Sequence, residues 1–114
     1  MRTVLLVLES EDFSLTMQEA LLDHYRVIVA HHAKSGAALL QETPDILMLD
    51  LFLPETDGFC FLEENHSLLP PTVLLFTRLA DPQILHTISA LGANAVFMKP
   101  CSISAVLKWL EAQS

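Results

Sequence analysis

Four polar residues stand at or just after the ends of apolar runs in this sequence, and their types suit phosphoryl chemistry: Glu9, Asp50, Thr77 and Lys99. If the runs are parallel strands of one sheet, their carboxyl ends meet at one edge and these side chains share a crevice. A carboxylate beside a divalent cation can act as a nucleophile and become an aspartyl phosphate. A hydroxyl and an ammonium group can bind the oxygens of that phosphate. Each residue alone is weak evidence, because strand-end acids are usually solvated, but four suitable types at four strand ends are a specific pattern.

The segment around Asp50 organises the chain. The residues before Asp50 are mostly apolar and show no alternation, which is typical of a strand buried on both faces of a parallel sheet. Pro54 and the pair Asp57-Gly58 then turn the chain away. An acid at the end of such a strand is not needed for packing, so it is a candidate functional residue.

The remaining runs predict how that strand is surrounded. Further strands are predicted over residues 3–8, 25–30, 72–77 and 95–98. Helices are predicted to follow caps at Ser10 or Asp12, at Ser35, at Asp81-Pro82 and at Ser102, with another from Phe59 to about residue 67. Five strands alternating with five helices predict one α/β domain over residues 1–114, with helices on both faces of a parallel sheet.

Composition excludes several functions. The 114 residues carry a net charge of −8, which disfavours direct nucleic-acid binding by this domain. No apolar run approaches the ~20 residues of a membrane span, and no signal peptide opens the sequence, so we expect a cytoplasmic protein without membrane attachment. Cys60 and Cys101 lack a metal or redox spacing and are predicted to be small core residues. The five histidines show no metal-ligand spacing either.

Over essentially its whole length, the chain resembles the receiver domains of two-component response regulators. The motifs that carry the resemblance are the segment from Pro44 to Gly58, then Leu75-Phe-Thr77, then the segment from Gly92 to Pro100. The resemblance implies a flavodoxin-like fold with a five-stranded parallel sheet in the order 2-1-3-4-5. It also implies Mg²⁺-dependent transfer of a phosphoryl group from a histidine kinase or phosphotransfer protein to Asp50. Such a domain is an acceptor and does not turn over an independent substrate.

The resemblance assigns a role to each candidate residue. Glu9, Asp50 and the backbone carbonyl of Phe52 would hold Mg²⁺. Thr77 would sense the phosphoryl group and Lys99 would pair with it. The bond between Lys99 and Pro100 is expected to be cis.

The sequence departs from the family pattern where Mg²⁺ would bind. Family members usually carry two adjacent acids after the first strand, and here those positions hold Leu8 and Glu9. Glu11 or Asp12 could substitute through a water molecule. We therefore expect any magnesium site to be weaker than a site with two acids.

Two further departures affect how the site would respond. Arg78 replaces the usual small residue after Thr77, and either faces solvent or pairs directly with Asp50 as a partial substitute for the metal. The position that is usually aromatic is Val96, with the ring next door at Phe97 on the opposite face of the strand. The usual coupling of threonine to an aromatic side chain is therefore not expected.

Two apolar residues lie two positions beyond Asp50 and Thr77, namely Phe52 and Leu79. They would flank the path of a water molecule attacking a phosphoryl group. We expect a phosphorylated Asp50 to be long-lived for this reason.

The last helix and the one before it suggest partners. Trp109 either folds back on the domain or anchors an interface, and the uncharged outer face of the fourth helix suits a homodimer through the fourth and fifth helices. An output domain, which could bind DNA, would lie beyond Ser114 if the chain is part of a longer regulator. Two functions remain open: a phosphoryl-accepting receiver, and a degenerate receiver that binds proteins without phosphorylation. A small α/β flavin-binding protein is disfavoured, because acids follow the first strand where a phosphate would need donors.

Overall fold

The computed structural model describes residues 1–78 and 81–113. Within these residues five β-strands alternate with five α-helices. The strands are β1 (Arg2–Val7), β2 (Tyr25–Ala30), β3 (Ile46–Asp50), β4 (Thr72–Thr77) and β5 (Ala95–Met98). The helices are α1 (Glu11–Leu21), α2 (Ala33–Leu39), α3 (Gly58–Glu64), α4 (Pro82–Ala90) and α5 (Ile103–Ala112). The strands form one parallel sheet in the order β2-β1-β3-β4-β5, which confirms the predicted architecture.

The central strands divide the core into two layers. Every residue of β3 and β4 is buried. Since successive side chains point to opposite faces of a strand, Leu47 and Leu49 pack on the side of α2, α3 and α4, whereas Ile46 and Met48 pack on the side of α1 and α5. Asp50 is the one charged residue of β3, and both apolar layers are complete without it.

Capping residues fix where most helices begin. Ser10, Asp57, Asp81 and Ser102 each accept a backbone N–H from the first turn of the helix that follows. Such a cap stabilises a helix by about 1 kcal/mol. The predicted caps Ser10, Asp81 and Ser102 are confirmed, and Ser10 rather than Asp12 is the cap of α1.

Two helix boundaries differ from the prediction. Helix α2 begins at Ala33, so Ser35 lies inside it, where its hydroxyl donates to the His32 carbonyl at 3.1 Å. The N–H of Ala33 donates to the Glu55 carboxylate, which comes from a distant loop and replaces a local cap. Helix α3 ends at Glu64, and the expected continuation is a separate 3₁₀ turn at His66–Leu68.

Glycines are needed at two positions around the sheet. Gly92 has φ of 110°, a conformation that other residues rarely adopt, and it ends α4 as predicted. At Gly58 a Cβ atom would lie 3.0 Å from the Leu51 Cα. The loop that leaves Asp50 therefore passes so close to the start of α3 that a side chain there would displace it.

The outer elements show where sequence patterns were misleading. Cys60 is exposed on α3, so its predicted place in the core is wrong, while Cys101 is half-buried against the core. Trp109 is half-buried, with its ring 6.4 Å from that of Phe97 in a T-shaped contact. This contact supports the alternative in which Trp109 folds back on the domain. No helix within residues 1–78 and 81–113 is long and apolar enough to cross a membrane.

Candidate functional site

Asp50 presents a buried carboxylate at the carboxyl end of the sheet. The residue is 3% exposed. Its Oδ2 accepts the backbone N–H of Glu9 at 2.8 Å, and its Oδ1 lies 2.7 Å from the Lys99 ammonium nitrogen. Both carboxylate oxygens therefore contact positively polarised groups.

Two contacts hold Lys99 in place. Its backbone N–H donates to the Thr77 carbonyl at 2.7 Å, and the bond to Pro100 is cis, as expected. Its ammonium nitrogen lies 4.7 Å from the centre of the Phe13 ring, a cation–π contact worth about 0.5 to 2 kcal/mol. The first turn of α1 thus helps to place the lysine over Asp50.

The four strand-end residues Glu9, Asp50, Thr77 and Lys99 line one cavity of about 410 Å³. Thr77 ends β4, next to β3, and is 2% exposed. Phe52 lies on the rim and is 52% exposed. The complete lining is Glu9, Ser10, Asp50, Phe52, Phe76, Thr77, Arg78 and Lys99. The roles assigned to these residues stay predictions, and Leu79, which was expected to exclude water with Phe52, lies outside the described residues.

Arg78 lies at the exposed side of this cavity. Within the described part of the chain, Lys99 is the cation that contacts the Asp50 carboxylate. Arg78 is exposed and lines both this cavity and an adjoining one of about 380 Å³ beside Phe13 and Cys101. Arg78 is therefore exposed, as the solvent-facing alternative has it, and does not form an ion pair with Asp50.

The residues present do not fit a magnesium ion as they are arranged. Leu8 is completely buried among the side chains of the α1 and α5 layer, so it offers no ligand. Glu9 lines the cavity but is exposed, and Glu11 and Asp12 lie exposed in the first turn of α1 without lining it. Among residues 1–78 and 81–113 no three acidic, histidine or cysteine side chains cluster as a metal site. A magnesium ion would have to share the Asp50 carboxylate with Lys99 and the Glu9 N–H, and the exposed Glu9 side chain would have to reach the same ion.

Strand β5 has its aromatic residue on the side that alternation predicts. Val96 packs in the layer of α2, α3 and α4, and Phe97 packs in the opposite layer. There the Phe97 ring lies 6.0 Å from that of Phe76, its partner in the strand register. The Phe76 ring in turn lies 5.2 Å from that of Phe13.

These contacts form a continuous row of rings, Phe13, Phe76, Phe97 and Trp109, which starts under Lys99 and ends on α5. We call it the aromatic row. The sequence patterns do not predict this row. The signal was present in part, because Phe76 and Phe97 stand at neighbouring positions of adjacent strands.

Cys101 follows the site lysine but is not prepared for chemistry. Burial raises the pKa of its thiol, and the nearby Lys99 charge opposes this shift without cancelling it. The Cys101 side chain is therefore a neutral thiol at physiological pH. It contributes packing next to the site and no nucleophile.

The parallel sheet has helices on both faces, and a buried aspartate and a lysine lie at the carboxyl ends of its strands. This combination is the one expected of a receiver domain. The sequence profile of the response regulator receiver domain matches residues 4–111. The chain belongs to the response regulator receiver family.

Relatives and solved structures agree with this assignment. The chain is 31% identical to the transcriptional regulatory protein KdpE of Staphylococcus aureus, over 90% of this chain and 46% of the relative. It is 28% identical to the transcriptional regulatory protein CpxR of Klebsiella pneumoniae, over 99% of this chain and 53% of the relative. The chain thus spans about half the length of these curated relatives. The structure of the chemotaxis protein CheY4 of Vibrio cholerae superposes with a TM-score of 0.88 at 26% identity, covering 98% of both chains.

Proposed function

We propose that this receiver domain accepts a phosphoryl group on Asp50 from a histidine kinase or a phosphotransfer protein. The observation that carries the proposal is the buried Asp50 carboxylate at the end of β3, with the Lys99 ammonium nitrogen at 2.7 Å. The core is packed without the Asp50 side chain, and Lys99 is fixed by its own contacts with Thr77 and Phe13. A buried acid facing such a lysine is an arrangement suited to group transfer.

The geometry suggests how the residues would act. An Asp50 oxygen forms the new bond to phosphorus, the phosphorus–nitrogen bond of the donor histidine breaks, and its electron pair returns to the imidazole. Lys99 then moves from the carboxylate oxygen to an oxygen of the phosphoryl group, where a charge-assisted contact stabilises it. The Glu9 N–H keeps its hydrogen bond to the other carboxylate oxygen. The Thr77 hydroxyl lies at the end of the neighbouring strand β4, where it would sense the phosphoryl group.

The output of the domain is proposed from its relatives. KdpE and CpxR are named transcriptional regulatory proteins, and each is about twice as long as the matched region. We infer that the receiver controls a further domain or a separate partner in the cytoplasm. The net charge of −8 disfavours direct nucleic-acid binding by the receiver itself.

A homodimer through α4, β5 and α5 also stays a proposal. The outer side of α4 is exposed and presents Gln83, His86, Thr87 and Ala90. None of these residues is an acid, a lysine or an arginine. Met98, at the end of β5, is 40% exposed. Trp109 contributes less to it than the sequence suggests, because its ring packs on Phe97.

The second candidate is a receiver that acts as a protein-interaction module without phosphorylation. Two observations favour it: Leu8 is fully buried where the family carries an acid, and Asp50 is already paired with Lys99 at rest. In that case the ion pair would have a structural role only.

Incubation with acetyl phosphate separates the two candidates. In this reaction an Asp50 oxygen attacks phosphorus and acetate leaves with the electrons of the broken bond. Intact-mass measurement is expected to show the gain of one phosphoryl group, lost in Asp50→Asn and kept in the control Asp23→Asn, which alters an exposed acid. A folded wild-type protein that gains no mass, with or without Mg²⁺, would support the interaction module.

A further inference from the structure

The cavity around Asp50 contains balanced charges. Asp50 and Glu9 are its acids, and Lys99 and Arg78 are its cations. A crevice with an excess of carboxylates needs an added cation or a proton, because like charges at short range destabilise each other. The balance here removes that need.

The contacts of Asp50 show which groups take the place of an added cation. The Glu9 N–H and the Lys99 ammonium occupy the two carboxylate oxygens at 2.8 Å and 2.7 Å. The side chain of Leu8 lies in the core and brings no further negative charge. The resting carboxylate is therefore compensated by the protein alone.

The position of Lys99 is supported from below. The Phe13 ring faces its ammonium group, and that ring packs edge-on against the almost fully buried Phe76. The Lys99 side chain is 16% exposed, so its charge acts across a partly dehydrated cavity. The lysine is thus placed to follow an oxyanion that joins Asp50.

Arg78 supplies the second cation from the mouth of the cavity. It is exposed, and the observed ion pair of Asp50 is made by Lys99. A guanidinium group presents paired N–H donors that match the oxygens of a phosphoryl group, and it is hydrated more weakly than Mg²⁺, which dehydrates reluctantly. Both Lys99 and Arg78 line the cavity that an oxyanion on Asp50 would occupy.

We propose that this cavity binds a phosphoryl-like oxyanion on Asp50 with Lys99 and Arg78 as its counter-cations, and without a divalent metal ion. The inference rests on the proposed function, because it describes how the same site would hold the group it accepts. It differs from the Mg²⁺-dependent transfer that the family resemblance implies, because the protein's own cations replace Mg²⁺.

Beryllofluoride, which coordinates a carboxylate as a phosphoryl mimic, tests the proposal. The metal-depleted protein is titrated with it in EDTA, and separately in Mg²⁺, while the amide signals of Glu9 and Leu51 are followed by NMR. The half-saturation concentrations are expected to agree within about twofold. Loss of a charge-assisted contact in Arg78→Ala should weaken binding by about tenfold or more, with partial recovery in Arg78→Lys. Lys34→Ala, which removes an exposed cation on α2, is the control for net charge and should bind as wild type.

Any other result of the beryllofluoride titration contradicts a specific part of the proposal. Binding that strengthens more than about tenfold in Mg²⁺, or a saturable response of the Glu9 amide to Mg²⁺ alone, would establish the weak magnesium site and overturn the inference while leaving the proposed function intact. Equal binding by Arg78→Ala and wild type would overturn the role of Arg78. Absence of beryllofluoride binding in a protein that acetyl phosphate labels on Asp50 would overturn the inference alone. Absence of both binding and labelling would overturn the proposed function as well.

Discussion

The two sides of the Asp50 crevice differ in how they serve the carboxylate. On the side of β4 and β5, Thr77 and Lys99 are tied to each other by a backbone hydrogen bond and bring a hydroxyl and a cation to the cavity. On the side of β1, Leu8 turns into the core and Glu9 contributes its backbone N–H. The β4 and β5 side therefore brings a hydroxyl and a cation to the cavity, whereas on the β1 side one of the two strand-end residues, Leu8, lies in the core and only Glu9 lines the cavity. One strand end can change its chemistry because each side chain at this edge comes from a different strand.

The largest effect is expected from restoring an acid on the β1 side. Leu8→Asp should lower the free energy of unfolding by about 4 kcal/mol, since it removes a fully buried leucine and buries a carboxylate. If β1 can regain a metal site, Mg²⁺ should recover part of this loss. Urea unfolding in EDTA and in Mg²⁺ measures both effects.

Leu8→Ala is the matched control for that comparison. It should also destabilise the protein, by about 3 kcal/mol, but with no dependence on Mg²⁺. A magnesium response in Leu8→Ala equal to that in Leu8→Asp would show that the restored acid is not its cause.

Removing the Lys99 charge on the β5 side should lower the free energy of unfolding somewhat less, but it should abolish most of the acetyl phosphate labelling. Lys99→Met keeps the aliphatic bulk and leaves Asp50 buried without its partner, so the free energy of unfolding should fall by about 3 kcal/mol. Acetyl phosphate labelling should fall by about 100-fold, because the phosphoryl oxygens lose their cation. Chemical denaturation and intact-mass time courses measure the two losses.

The double variant Lys99→Met with Asp50→Asn isolates the pair. Its stability should exceed that of Lys99→Met, since no uncompensated charge remains buried. Strictly additive losses would mean that the ion pair does not explain the destabilisation.

A smaller effect is expected from the support under the lysine. Phe13→Leu keeps an apolar side chain but removes the ring face, so labelling should fall by about fivefold and stability by about 1 kcal/mol. Phe13→Tyr retains a ring face and should label like wild type. Loss of labelling in both variants would point to a packing defect instead of the cation–π contact.

The smallest effect is expected at the other end of the aromatic row. Trp109→Phe should lower the free energy of unfolding by about 0.5 kcal/mol and leave labelling unchanged within about twofold, because the residue contacts Phe97 and not the cavity. Equilibrium sedimentation should give the same mass as wild type. A lower mass for Trp109→Phe than for wild type would show that Trp109 contributes to an interface.

The sequence predicted the sheet well, because uninterrupted apolar runs lie between clear turn residues. Strands β2, β4 and β5 have the predicted bounds, and the caps at Ser10, Asp81 and Ser102 act on neighbouring N–H groups. Local patterns carry this information, since both strand burial and capping depend on residues close in the chain.

Long-range contacts were beyond the sequence patterns. The cap of α2 comes from Glu55, on a loop after β3, so a local search for a cap selected Ser35 instead. The role of Phe13 beneath Lys99 depends on where the first turn of α1 lies relative to the loop after β5, which no local pattern reveals. The convergence of Asp50, Thr77 and Lys99 was predictable only because parallel strands bring their carboxyl ends together.

The aromatic row also gives the protein a built-in optical reporter. The chain contains one tryptophan, and its indole makes an edge contact with a ring that is two contacts away from the ring under Lys99. Indole emission depends on the polarity and packing of its surroundings, so a shift of Phe97 or Phe76 would alter the emission of Trp109. The intensity and wavelength of that emission can therefore follow events at Asp50 in unlabelled protein, without any dye attached to it.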